Sequence, residues 1–120
     1  MITPDDFSSG KTVLDLLVKL YNEEFSGFAD IVLSSNSGVE FEVVLAFIRG
    51  LIVAVTLYTS RGVFKGNEAV NMLFYLANSL DGGAVWVDLT QLSIDEVVNE
   101  LVDFKDEITS QPISPYDLHS

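Results

Sequence analysis

The 120-residue sequence predicts one α+β domain: an antiparallel β-meander of about four strands, with helices in the order α-β-β-β-α-β-α. Three observations carry this. The run from Phe41 to Tyr58 is almost wholly apolar, rich in β-branched and aromatic residues, and interrupted near its middle by Arg49-Gly50. It therefore reads as two strands and a tight turn, not as one helix. Apolar residues recur at helical spacing on both sides of that run. Clusters of Ser, Asn and Gly separate the segments.

Residues 1–11 read as a loose arm. The first helix is expected from Thr12, with Asp15 three residues on as a weak capping box. Leu14, Leu16, Leu17, Val18, Leu20 and Tyr21 cover more than half its surface, opposite Asp15, Lys19, Asn22 and Glu23. Ser26-Gly27 ends it, and Phe28 to Leu33 reads as a strand with Ala29, Ile31 and Leu33 on one face. After the turn 34–38, strands are expected over about 39–48 and 51–59. Arg49-Gly50 is their connection, with glycine supplying a backbone angle that other residues resist. Both strands are apolar at both parities, so both faces must be covered.

Residues 60–66, SRGVFKG, read as a loop, and a second helix is expected from Asn67 to Leu80, stopped by Asp81-Gly82-Gly83. Ala84 to Leu89 reads as a short fourth strand. Ser93 and Glu96 form a capping box for a third helix, whose apolar stripe runs through Val97, Val98, Leu101 and Val102 to Ile108. The domain is thus expected over 12–110, and 111–120, with two prolines and little periodicity, reads as a flexible tail.

Composition narrows the function. Eighteen acids against six bases give a net charge of −12. Nucleic acid and anionic membranes are poor partners for such a chain, whereas a protein with a basic surface suits it. Cysteine is absent, which removes disulfides and thiolate chemistry. The N-terminus lacks the basic and apolar regions of a signal peptide, and a cytoplasmic location is expected.

Motifs for chemistry are few. Ser9-Gly10-Lys11-Thr12 imitates the end of a phosphate-binding loop, but Asp5 stands where its first glycine belongs and no buried strand precedes it. His119 is the one histidine and falls in the expected tail, where it cannot serve as an oriented base. The pairs Glu23-Glu24, Asp95-Glu96 and Asp106-Glu107 lie on polar helix faces. No spacing suggests a metal, and no catalytic residue or cofactor is expected. Arg61 and Lys65 flank Gly62 just before a helix start and could dock an anion or an acidic segment; the alternative is a soluble loop. Met72 and Phe74 read as core, and Trp86 as either an exposed anchor on an edge strand or core.

The order of three features carries a resemblance. Thr12-Val13-Leu14-Asp15-Leu16-Leu17 leads to Ser26-Gly27-Phe28-Ala29-Asp30-Ile31; Phe47-Ile48-Arg49-Gly50-Leu51-Ile52-Val53-Ala54 forms a strand-turn-strand; Gly66-Asn67-Glu68-Ala69-Val70 opens a helix. Over residues 12–80 this resembles the PatA N-terminal-type domain of unknown function, with its F-x-x-G-x-I-V-x-A hairpin and G-x-E-A helix start. The resemblance implies a domain often joined to receiver domains or found near small-GTPase regulators, without established chemistry and without an active site to carry over. A roadblock-type GTPase regulator is the alternative, but it places a helix where Arg49-Gly50 leaves no room. A small-ligand-binding or hydrolytic domain is a further, weaker alternative. The expected function is a non-enzymatic protein–protein interaction module, a dimeric adaptor or regulator in prokaryotic cytoplasmic signalling. Leu16, Leu20 and Tyr21, or alternate residues of 43–57, are the expected dimer contact.

Overall fold

A computed structural model describes residues 13–34, 40–79 and 84–118. The expected arm, the turn at 35–38, the helix stop at 81–83 and His119 lie outside the described residues, as do the side chains of Phe74, Leu76, Ala77 and Leu80. In chain order the elements are α1 (Val13–Asn22), β1 (Gly27–Ser34), β2 (Glu40–Ile48), β3 (Leu51–Thr59), β4 (Gly62–Lys65), α2 (Asn67–Ser79), β5 (Ala84–Gln91), α3 (Ile94–Leu101) and β6 (Ile108–Ile113). Two short 3-10 turns, Lys105–Glu107 and Pro115–Leu118, flank β6.

The class is α+β and the sheet is antiparallel, but six strands are described where about four were expected. The strand order is β4-β3-β2-β1-β5, with β6 also paired to β3. Both additional strands lie along the outer edge of β3. β4 pairs with Thr56–Thr59, and β6 pairs with Ile52 and Ala54. Their sequences hid them for physical reasons. β4 is only four residues long and lies within a glycine-flanked stretch that reads as a loop. β6 contains Pro112, which cannot donate to a ladder and is tolerated only near a sheet's margin.

β6 takes in residues 111–113, and Ile113 pairs with Ile52, where a flexible tail was expected from Gln111. Thr109 is buried, and Ser110 N–H donates to Asn67 Oδ1 at 3.0 Å. Beyond β6, Tyr116 meets Tyr21 edge-to-face at 5.6 Å between ring centroids. The helix expected to reach Ile108 ends at Leu101, and Ile108 opens β6.

The hairpin of β2 and β3 turns through Arg49 (φ 51°) and Gly50 (φ 84°), the two left-handed residues that match the twist of an antiparallel pair. Gly50 N–H donates to the Phe25 carbonyl at 2.7 Å, and Arg49 N–H to Ser26 Oγ at 2.9 Å. The turn is thus tied to the chain just after α1. A bulge between Ala46 and Phe47 leaves Val53 without a partner opposite it. It keeps Ile52 and Val55 together in the main core while Ala54 joins the core of the opposite face.

The two faces of the sheet are covered unequally. α1 and α2 bury Leu16, Leu17, Leu20, Ala69 and Leu73 against Ile31, Leu33, Val43, Leu45, Phe47, Val55 and Leu57. On the other face α3 places Val97 and Leu101 over Ala46 and Ala54, with Phe28, Ile48, Val53 and Leu92 packed around them. Ser93 starts α3 with the expected reciprocal bonds: its hydroxyl accepts from Glu96 N–H, and the Glu96 carboxylate accepts from Ser93 N–H. A helix of eight residues spans only about 12 Å, so one end of this face is left open.

Candidate interaction surface

The strand register defines what the open end presents. Side chains that face each other across neighbouring strands point the same way. One row runs Trp86, Val32, Glu42, Tyr58 and Val63 across β5, β1, β2, β3 and β4. The next runs Asp88, Asp30, Val44, Thr56 and Lys65. The third, Thr90, Phe28 and Ala46, is the row that α3 covers. Alternation places all of these opposite the α1–α2 core.

Trp86 is 50% exposed and Tyr58 42%, although both are large and partly apolar. Trp86 is therefore an exposed residue of an edge strand, which decides between the two readings of it. Glu42 stands in the row that joins the two aromatic residues, and Asp30 and Asp88 stand in the next row, on the strands next to and holding Trp86. Burial first, then a hydrogen bond with Glu42 and the negative charges of Glu42 and Asp88, push the Asp30 carboxyl from 3.8 up to about 6. Two carboxyls share a hydrogen bond only through a proton, which Asp30 retains into the weakly acidic range. Its Oδ1 is buried and has no hydrogen-bond partner.

The other sequence-predicted residues are placed elsewhere. Leu16 is 2% exposed and Leu20 fully buried, both in the chain's own core, so neither is available to a second copy. The same holds for Val43, Leu45, Phe47, Val55 and Leu57. The reason is that Leu16, Leu17 and Leu20 of α1 pack into the same core as the sheet's residues, so helix and sheet cover each other. Tyr21 is partly exposed and packs on Tyr116.

Arg61 and Lys65 stand at the two ends of β4. Arg61 lies in the turn of the β3–β4 hairpin, and Lys65 closes β4, four residues along and about 13 Å away at strand spacing. Lys65 Nζ donates to Asp106 Oδ2 at 3.2 Å, and this bond, with the Asp106 charge, raises the lysine pKa above its ordinary value.

Tyr21, Asn22, Glu24, Arg49 and Leu51 line a cleft of about 310 Å³ beside the hairpin turn. No histidine or cysteine lines it, and its charged groups are exposed. Among the described residues no group of three His, Cys, Asp or Glu side chains could hold a metal ion, and no helix is long and apolar enough to cross a membrane.

Asp30, Glu42, Asp88 and Tyr58 were not singled out from sequence. Asp30 and Glu42 are visible as acids within apolar strands, but their meeting depends on the register of β1 with β2 and β5. Nothing in a linear pattern of apolar residues specifies that register. Compared with known proteins, the chain matches no family model, no curated protein and no solved structure.

Proposed function

We propose that the protein is a non-enzymatic interaction module, an adaptor or regulator that docks a partner protein with a basic surface. The observation that carries this is the open end of the sheet, where three carboxyls on β1, β2 and β5 share a face with two exposed aromatic side chains. Aromatic faces attract cations and supply apolar contact area. A lysine or arginine over Asp30 would provide the donor that its buried Oδ1 lacks. The surplus of acids over the whole chain would speed encounter with such a partner. The PatA-type resemblance points to the same class of role, and the cytoplasmic signalling setting belongs to this proposal.

The test is an NMR titration of the labelled protein with decalysine, and with decaglutamate as control. Saturable shifts at Val32, Glu42, Asp88 and the Trp86 indole with decalysine alone, weakened by added salt, support the reading. Absence of binding at low salt overturns it.

Self-association is retained in the proposal through α3, the surface expected to suit it least because its acids repel, on the ground of the apolar groups exposed there. Val98 and Val102, one turn apart at the outer side of α3, and Phe104 and Ile108 beyond it, are 41–55% exposed. Large apolar groups exposed together are unusual on a monomer and suit contact between copies.

A further inference from the structure

We infer that the partner segment docks as an added strand along the free edge of β5, running beside Trp86 and Asp88 with basic side chains at alternate positions. This rests on the reading of the protein as a module for basic partners and specifies how the partner binds.

The two margins of the sheet differ. At one margin the outer edge of β3 is paired along most of its length, by β4 over one half and β6 over the other. At the other margin β5 pairs only with β1, over Gly27–Leu33, and among the described residues nothing pairs with its outer side. Among the described residues, β5 therefore presents alternate backbone N–H and C=O groups without a strand partner. Such an edge recruits an extended chain through main-chain hydrogen bonds, while alternate side chains set the choice of partner.

Side-chain chemistry selects the occupant. Residues opposite one another in an added strand share a face, so a partner residue across from Asp88 lies about 5 Å from it. The same residue stands diagonal to Trp86, within reach of its indole ring. Lysine or arginine there meets a carboxylate and an aromatic face together. The next strand inward holds Asp30 beside Asp88, which adds negative potential to that position. On the opposite face of β5, Val87 is nearly buried in the main core, so the partner's intervening residues meet an apolar margin. A segment alternating basic and apolar residues fits both faces.

A second copy fits poorly. Antiparallel self-pairing along the length of β5 would set Asp88 opposite or diagonal to its own mate, in a chain of net charge −12.

The test uses the full chain and the decapeptide (Lys-Val)5 in three forms: unmodified, N-methylated on every lysine, and N-methylated on every valine. Binding is followed by the emission of Trp86, the one tryptophan, and by amide hydrogen exchange in β5. In a strand only alternate backbone N–H groups point toward the neighbour. Strand addition therefore requires that one methylated peptide lose affinity by about tenfold or more while the other binds nearly as well as the parent. It also requires slower exchange at alternate β5 amides on binding. Asp88→Lys should weaken the parent peptide by about tenfold without affecting folding, because the residue is exposed and unburdened by packing. Equal behaviour of the two methylated peptides, with the parent still bound, overturns strand addition and leaves the broader reading intact. Failure of the parent peptide to bind where decalysine binds overturns strand addition alone; failure of both overturns the broader reading as well. Protection of outer β5 amides in the free protein also overturns the inference, since the edge would then be occupied by a second copy or by another segment of the chain.

Discussion

Gly50 shows how much one residue can decide. A Cβ on it would lie 2.6 Å from Tyr21 Cα and 2.7 Å from the Tyr21 carbonyl oxygen, and its φ is +84°. The obstacle is backbone, which cannot rotate away. Gly50→Ala should therefore destabilise the protein by about 2–3 kcal/mol in chemical denaturation, combining a strained angle with a displaced helix end. A loss below about 0.5 kcal/mol would mean that the hairpin does not abut α1 as described. The turn was legible as Arg49-Gly50 between apolar strands; the collision with Tyr21 was not, because those residues are far apart in the chain. Asp30 carries the second residue-scale prediction. The folded state holds its proton up to about pH 6, whereas the unfolded chain releases it near 3.8. The folded state thus binds more protons between those values, so this group's contribution falls as pH rises through that window and its cost is fully present above pH 6. Asp30→Asn should flatten that slope and raise stability at pH 7.5 by about 1 kcal/mol, solvent screening reducing the full effect at this partly exposed site. Matched urea titrations at pH 4 and 7.5 measure it; an equal change at both pH values would contradict the assignment.

At the scale of elements, the C-terminal segment tests the largest departure from expectation. Removing residues from Gln111 onward takes away half of β6 and the turn that brings Tyr116 to Tyr21. It also frees the end of the β3 edge at Ile52, which pairs with Ile113. The truncated chain should lose about 2 kcal/mol or more, from lost apolar burial and unpaired strand groups. Unchanged stability would restore the reading of this segment as dispensable. Its strand character could not be seen because ITSQPI has neither alternation nor freedom from proline. What orders it is the vacant half of the β3 edge and the Asn67 side chain that meets Ser110, both supplied by other elements. α3 stands at the other extreme. Its capping box is a local signal that appears in the structure, whereas of the expected apolar stripe only Val97 and Leu101 are buried, Val98 and Val102 are exposed, and Ile108 lies beyond the helix.

For the whole molecule, covering both faces of the sheet was expected to fall to the helices alone or to call on a second copy, with a dimer as the simplest remedy. The single chain instead covers one face with α1 and α2 and half of the other with α3. Self-association, if it occurs through the exposed residues beside α3, should respond to Val98→Lys and leave Leu16 and Leu20 in place. Sedimentation equilibrium at micromolar concentration should show a dimer for the parent chain and a monomer for the variant. A monomeric parent overturns self-association and leaves the proposed docking of a basic partner to its own test. The class of fold, the hairpin at Arg49-Gly50, the cap of α3 and the acidic character were readable from the residues alone, because each depends on neighbours in the chain or on composition. It took the folded chain to show that β4 and β6 complete one edge of the sheet, that Leu16 and Leu20 face inward, and that Asp30, Glu42 and Asp88 share the face of Trp86. Those outcomes follow from strand register and from which surface each helix covers, and both are fixed by contacts between residues distant in sequence.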